Sequence, residues 1–419
     1  MPLSYSLRLL LLANCISGAA QGISMITISW YMTKTLGAEK EFGILYAVLT
    51  FISLFWGTIA GSLVDRYNRK NIFLITNLTA GTVLLLMALL GYSNGGMTFA
   101  YTAIAFATTL FVYNVHYTNL YSFVQEVTDK KNYGNAVAMI EVQGQFTSVI
   151  AGTMAALLLY GNDIVIGDFT IPIPKWNLQT MVLIDAITYF VSVGIIAMIP
   201  YSMSRNRHID TGSLKERILG GLGFLQHNKY IFLYGCTSFC VFVTIMICTI
   251  FYFPIYINKF LDGDTVTFAI SETVYGFGAL FAGAFIRRVF GDMEAVKSII
   301  ILCIGGIIMF IGLAFIKNIP FFYVMCFFYG IFNAGARVFR ATYLFHKVPN
   351  EVSGRVGGIF GNINTLTRGI FISLFSMSFF QEKQYITYPC IIMAVFIAMC
   401  TFFTIKYYKP IIDTQETNV

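Results

Sequence analysis

Long apolar stretches, each bounded by a short polar turn, recur along nearly the whole chain. A helix needs roughly 20 mostly apolar residues to cross about 30 Å of hydrocarbon. The pattern predicts twelve spans, at Arg8–Thr33, Glu41–Val64, Asn71–Tyr92, Met97–Phe123, Gly134–Gly161, Asn177–Pro200, Tyr230–Asn258, Phe268–Phe290, Val296–Ile316, Ile319–Phe345, Val352–Phe380 and Gln384–Ile405. One longer polar stretch, Tyr201–Lys229, interrupts the rhythm. Within it Leu214, Ile218, Leu222 and Leu225 share one helical face, which predicts an amphipathic helix over Leu214–Gln226 lying along the membrane surface. The expected fold is an all-α membrane protein of two pseudo-symmetric six-helix bundles: residues 1–200, a linker at 201–229, residues 230–406, and a tail at 407–419.

The bundles read as copies of one another. Ala60-Gly61-Ser62-Leu63-Val64-Asp65-Arg66 closes the second span and Ala282-Gly283-Ala284-Phe285-Ile286-Arg287-Arg288 closes the eighth, a shift of 222 positions (283 − 61). Tyr121-Ser122-Phe123 and Tyr343-Leu344-Phe345 close the fourth and tenth spans in the same register (343 − 121). Internal repeats of this kind are a common way to build a transporter with its site between them.

Composition excludes a soluble domain, because 57% hydrophobic and 11% charged residues with mean hydropathy +0.73 leave too little polar surface to cover a water-exposed body. Charge sets the orientation. With both termini in the cytoplasm, 18 of the 27 Lys and Arg residues fall on that side, 6 on the other, and Arg337, Arg340 and Arg368 inside spans. Cytoplasmic loops carry the basic excess, so the bias supports this topology, and the net charge of +7 needs no nucleic-acid partner. The apolar stretch after Arg8 runs about 25 residues, too long for a signal-peptide core, and is expected to remain as the first helix. All eight cysteines lie in predicted spans, where they act as apolar filler rather than a disulfide framework. Cys236 and Cys240 at i, i+4 lack a matching His or acid, so no metal or cofactor is expected.

The turn Gly61-Ser62-Leu63-Val64-Asp65-Arg66-Tyr67-Asn68-Arg69-Lys70 resembles the G-x-L-x-D-R-x-x-R-K/R signature of the major facilitator superfamily in type, spacing and position. Asn68 replaces the second glycine, and Asn tolerates left-handed backbone angles. Together with Gln125-Glu126-Val127 and Asn135-Ala136, the turn looks most like the bacterial macrolide and siderophore exporters, which implies the inner membrane. Gly57 and Gly61 at i, i+4 allow another helix backbone to approach. Arg66, Arg69 and Lys70 can meet headgroups or carboxylates. The resemblance implies that Asp65 latches the second and eleventh spans in one transport state, so Gly57, Gly61, Asp65, Arg66 and Arg69 form the expected gating set. Arg287 stands at the matching place in the second half, so gating is expected to be asymmetric.

Ionisable groups in hydrocarbon cost at least about 2.5–3.5 kcal/mol, so each is a functional candidate. Asn333, Arg337 and Arg340 make a stripe on the tenth span, and Asn364 and Arg368 a pair on the eleventh. Asn14, Ser17, Gln21 and Ser24 line the first span, Asn114, His116 and Thr118 the fourth, and Glu141, Gln145, Ser148 and Gly152 the fifth. Lipid cannot satisfy these faces, so they are expected to line a central cavity, with Tyr117 and Tyr252 flanking it. The resemblance puts the first, fourth, seventh and tenth spans around such a cavity, and implies a structural or outer-mouth role for Asp185 on the sixth. Three arginines against Glu141 suit an anionic or zwitterionic ligand. Glu141 is the first candidate for proton coupling, with His116 the second.

These features point to a monomeric secondary transporter that exports an organic amphipathic compound, a siderophore or a drug, by alternating access, with lipids and protons as its other partners. A lysophospholipid transporter is the alternative, since a phosphate headgroup would also suit the arginines. An organic-anion importer or a channel stands behind both. Against an enzyme, no metal-ligand, nucleophile or phosphate-loop pattern occurs.

Overall fold

The computed structural model describes residues 5–128, 133–161, 164–166, 169–171, 174–201 and 214–413, except for some side chains within them, those of Ser62, Asp65, Arg66, Gln125 and Glu141 included. The first half supplies α1 (Tyr5–Trp30), α2 (Glu39–Arg66), α3 (Arg69–Ser93), α4 (Phe99–Val127), α5 (Tyr133–Tyr160) and α6 (Leu178–Ala197). A two-stranded hairpin, β1 (Ile164–Ile166) with β2 (Phe169–Ile171), sits in the loop before α6. Next comes α7 (Leu214–His227), followed by α8 (Lys229–Thr237), α9 (Cys240–Ile247), α10 (Phe253–Lys259), α11 (Thr265–Phe290) and α12 (Ala295–Phe315). The chain ends with α13 (Ile319–Lys347), α14 (Asn350–Phe375), α15 (Ser378–Gln381), α16 (Tyr388–Lys406) and α17 (Tyr408–Ile412).

Ten of the described helical stretches are long and apolar enough to cross a membrane. The expected count of twelve also includes α4 and α14, which have the length, 29 and 26 residues, but are too polar to qualify. Their polarity comes from the side chains that make them interesting, His116 and Asn119 on α4, Asn364 and Arg368 on α14.

The seventh span departs from expectation, being three helical pieces rather than one helix over Tyr230–Asn258. Ser238 and Phe239 interrupt it between α8 and α9, and a π-helical turn, Cys248–Tyr252, joins α9 to α10. A second π turn, Tyr31–Thr35, extends α1. Such turns widen the backbone ring and often mark functional segments.

Contacts divide the chain into two compact units. Unit 1 comprises Met1–Leu45, Ile52–Asp210 and Asp264–Thr273, and unit 2 comprises Tyr46–Phe51, Thr211–Gly263 and Val274–Val419. In unit 1, α6 packs along α1 and α3. Gly22 on α1 lies where a Cβ would come within 2.6 Å of the Ala151 Cβ on α5, so only glycine allows that approach. The α2–α3 turn uses Asn68 differently from expectation: its backbone is extended (φ −62°, ψ 118°), and its side chain caps α3 by accepting from the Asn71 amide at 3.1 Å. An N-cap of this kind contributes about 1 kcal/mol. Lys70 donates to the carbonyls of Ala197 and Ile199, both at 2.8 Å, placing a cation at the C-terminal end of α6.

In unit 2 the α8–α10 span is strongly enclosed, with 78% of its most apolar window buried. Tyr256 donates to the Leu313 carbonyl at 2.6 Å, and Tyr252 to that of Ile386 at 2.6 Å. The cysteines are all free thiols; Cys240 meets Cys303 at 3.7 Å and Cys248 faces the Met393 sulfur at 3.7 Å. Among the described residues no group of three or more His, Cys, Asp or Glu could hold a metal ion. Of the described side chains on the apolar face of α7, Leu225 and Leu222 pack against protein rather than lipid, with Val356, Ile359 and Phe360 of α14. Residues 202–213 of the linker lie outside the described residues.

The close helix approach expected at Gly57 and Gly61 is not found there, since none of the described residues lies within 4 Å of a Cβ built at either. It occurs instead between α11 and α13. A Cβ on Gly278 would stand 2.0 Å from the Phe327 carbonyl oxygen, and one on Gly330 would stand 2.1 Å from that of Tyr275. Because the obstacle is backbone, Gly278→Ala or Gly330→Ala is expected to destabilise by at least about 1–3 kcal/mol. Gly57→Ala and Gly61→Ala should leave the detergent melting temperature close to wild type.

A loop cluster gives a pH-dependent prediction. Asp262, in a left-handed turn (φ 52°), pairs with Lys317 and, at 3.1 Å, with Lys383, tying three loops of unit 2 together. The hydrogen bond from Lys317, then that from Lys383, holds its carboxyl below the usual carboxylate range. A carboxyl depressed in the folded chain contributes stability above its unfolded titration range and loses it as pH falls through the folded one. Asp262→Asn should therefore melt slightly earlier than wild type at neutral pH, and the two curves should converge as pH falls below about 4.

Candidate functional site

Each unit carries polar side chains within its spans. In unit 1, His116 on α4 bonds through Nε2 to Asn14 Oδ1 on α1 at 2.7 Å, and Asn14 Nδ2 donates to Gln143 Oε1 on α5 at 2.9 Å. With the Asn14 amide so oriented, His116 carries its proton on Nε2. The imidazole stacks edge-on against Phe73, with ring centroids 5.1 Å apart, and touches Tyr117 at 5.6 Å. Asn14 and His116 are both buried, and Gln143 Nε2 is a buried donor with no partner.

The fold thus joins two predicted residues, Asn14 and His116, directly, and links Asn14 to a third, Gln143, that the periodicity of the fifth span passed over. Tyr117 extends the cluster, stacked on Tyr113 with centroids 4.4 Å apart. Asn114 turns its amide back to the Leu110 carbonyl at 3.1 Å. Gln21 is half-buried, two turns beyond Asn14 on α1. The side chain of Glu141 lies outside the described residues, as do those of Asp65 and Arg66. Arg69 of the expected gating set pairs with a carboxylate inside unit 1: its Nη1 stands 3.2 Å from Glu126 Oε1 and bonds the Ser122 carbonyl, while Tyr201 donates to Glu126.

In unit 2 the predicted stripe on the tenth span separates. Asn333 donates to the Tyr275 hydroxyl at 2.7 Å, and Arg337 is half-buried. Arg340 turns into the helices instead. Its Nη1 donates to the Ser238 carbonyl at 3.1 Å, and its guanidinium lies 3.7 Å from the centre of the Phe239 ring. It neither snorkels to a surface nor faces a cavity, because the interrupted seventh span leaves the Ser238 carbonyl in need of a donor. Tyr252 likewise spends its hydroxyl on packing, at the Ile386 carbonyl.

The eleventh span is different. Asn364 is buried with Oδ1 unpartnered, and one turn on, the buried Nε of Arg368 has no partner either. Asn364, Thr367 and Thr237 border a cavity of about 160 Å³ whose other walls are mostly apolar, Phe239, Phe360 and Phe396 among them. A wider recess of about 430 Å³ lies over the loops at Lys259, Gln381 and Lys383. Its lysines already bond the Gln381 carbonyl and Asp262, so the cavity beside Asn364 is the chemically open one.

Long apolar helices that enclose polar side chains, with the buried Asn364 bordering a cavity, are the features of a membrane transporter. The chain belongs to the Major Facilitator Superfamily, whose sequence pattern matches residues 10–372. It is similar to macrolide efflux protein A of Streptococcus pyogenes, at 25% identity over 390 residues, 84% of this chain and 85% of the relative. Among solved structures it resembles the nucleoside transporter NupG, with a TM-score of 0.71 at 14% identity, covering 97% of this chain and all of that one. It also resembles a bacterial homologue of the human lysosomal transporter Spinster in its inward-facing, unoccupied conformation, with a TM-score of 0.68 at 11% identity and full coverage of both chains. A bacterial metal transporter shares the fold with a TM-score of 0.66. At these identities the structural likeness speaks for the fold alone.

The His116–Asn14–Gln143 chain generates a stability prediction. Asn14→Leu strands two buried polar groups, each costing about 1–3 kcal/mol, and should lower the melting temperature markedly. The triple change Asn14→Leu, His116→Phe, Gln143→Leu should recover much of that loss.

Proposed function

We propose that the protein exports an organic, amphipathic, anionic or zwitterionic compound, a drug or a siderophore, by alternating access across a bacterial cytoplasmic membrane with both termini inside. The observation that carries the substrate class is the pair on α14. Arg368 Nε is a cationic donor and Asn364 Oδ1 an acceptor, both buried and unpartnered one turn apart, and Asn364 borders an apolar cavity. A carboxylate or phosphate oxygen suits the first, an ammonium or amide N–H the second, and an aromatic or branched apolar group the cavity. With Arg340 committed to Ser238, Arg368 is the primary anion contact, and Arg337, Asn333 and the His116 cluster serve in orientation. The likeness to a macrolide efflux protein over 84% of the chain supports export of a drug-like compound. Glu141 remains the proposed proton carrier, and the Asp65 turn the proposed gate.

A thermal-shift screen of the purified protein against macrolides, siderophores, lysophospholipids and amphipathic organic acids tests the reading, because a ligand that binds only the folded state raises the melting temperature. The expected result is stabilisation by an amphipathic anion or zwitterion. Arg368→Gln should weaken its binding roughly tenfold to a hundredfold, the size of one lost charge-assisted hydrogen bond. Unchanged affinity in Arg368→Gln would remove the proposed contact, and selective stabilisation by lysophospholipid would move the assignment to a lipid carrier.

A further inference from the structure

Unit 1 contains a second polar site, away from the His116 cluster. Asp185 on α6 is fully buried, and among the described residues neither of its carboxylate oxygens has a hydrogen-bond partner. It stands seven residues from the Leu178 end of α6, about 10 Å along the helix. From α1, the Ser24 hydroxyl faces the carboxyl without reaching hydrogen-bond geometry, and Tyr189, one turn further along α6, brings its own buried, unpartnered hydroxyl. The third wall is α3, where Gly81 lies against Phe190 and the Ala186 carbonyl. Asn77, four residues earlier on that face of α3, is buried with both amide atoms unpartnered. Among the described residues no Lys, Arg, His, Asp or Glu stands against Asp185. An ionised carboxylate there would have neither a counter-charge nor donors for its lone pairs, a cost of several kcal/mol that native structures avoid. Two of the helices around it, α1 and α6, nevertheless bring hydroxyls that are not engaged elsewhere.

We propose that Asp185 is a proton-carrying site of unit 1. One carboxylate oxygen takes a proton from water, forming an O–H bond and a neutral acid in this closed pocket, with Ser24 and Tyr189 as its neighbours. The same O–H bond breaks, and the proton returns to water, when α1 and α6 part. The site rests on the transport role of the family and not on the substrate class proposed above, and it is additional to Glu141.

Dicyclohexylcarbodiimide, a lipophilic reagent that adds to protonated carboxyls, tests it on the intact protein in detergent, read by mass spectrometry of the digest. At about pH 7 Asp185 should carry the label, and labelling should fall at least about fivefold when the pH is raised to about 10. The exposed, lysine-paired Asp262 should stay unlabelled. Absence of label on Asp185 at every pH, or labelling indifferent to pH, would overturn the proposal. Protection by sodium chloride but not choline chloride would reassign the site to a metal cation and overturn it as well. For the compound returned by the thermal-shift screen, wild type should exchange protons on binding, read with a pH dye in weak buffer. Asp185→Asn should bind that compound with an altered proton count, and an unchanged count would contradict the role. If the variant does not fold, or no compound is found, the labelling of wild type decides alone.

Discussion

Hydrocarbon offers no hydrogen bonds, and that one constraint organises the chain. Each polar side chain carried into an apolar helix must find its partner on another helix, or leave a donor or acceptor unmet at considerable cost. Most are met. Asn14 stands between His116 and Gln143, Arg340 supplies the carbonyl that the interrupted seventh span leaves bare, and Tyr252 and Tyr256 reach across to backbone carbonyls. These contacts hold α1 to α4 and α5 in one unit and α13 to the α8–α9 break in the other. Among the exceptions are Asn364 and Arg368 on α14, Gln143 on α5, and Asp185 with Ser24, Asn77 and Tyr189 around it. The substrate and proton roles proposed above are assigned to groups of this kind.

The two halves share a repeat and a helix plan but divide the chemistry. The first carries neutral amides and an imidazole bonded to one another, together with a carboxyl enclosed by three helices. The second carries the cations, of which Arg340 is structural and Arg368 open. Its seventh span is broken and its eighth and tenth helices touch backbone to backbone at Gly278 and Gly330. Where Asp65 stands in the first half, Arg287 stands in the second and donates to Thr342.

Much of this was legible in the amino-acid order, because helix placement follows apolar run length and run length is local. Most of the helices were located to within a few residues, and Asn14 and His116, each singled out on its own helix, meet across α1 and α4. What escaped depends on partners distant in sequence. The seventh span reads as one apolar helix, and its break is stabilised by Arg340, 102 residues further on. Gln143 lies off the stripe drawn through Glu141 and Gln145; only the need of Asn14 for an acceptor reveals it. Asn68 was read as a left-handed turn residue and is instead a helix cap, since both uses favour the same side chain. The apolar face of α7 was assigned to lipid, and the competing surface, α14, lies more than a hundred positions away. Asp185 drew little weight in sequence because its environment, not its identity, makes it unusual.

The central claim is that the open donor on α14 selects an anionic group, and one comparison tests it most directly. Binding of the carboxylate-bearing compound found by the screen is measured against that of its methyl ester, which keeps the shape and apolar surface but removes the charge. The account predicts that the ester binds at least about tenfold more weakly to wild type, and that the difference disappears in Arg368→Gln. Equal binding of acid and ester by wild type would contradict it.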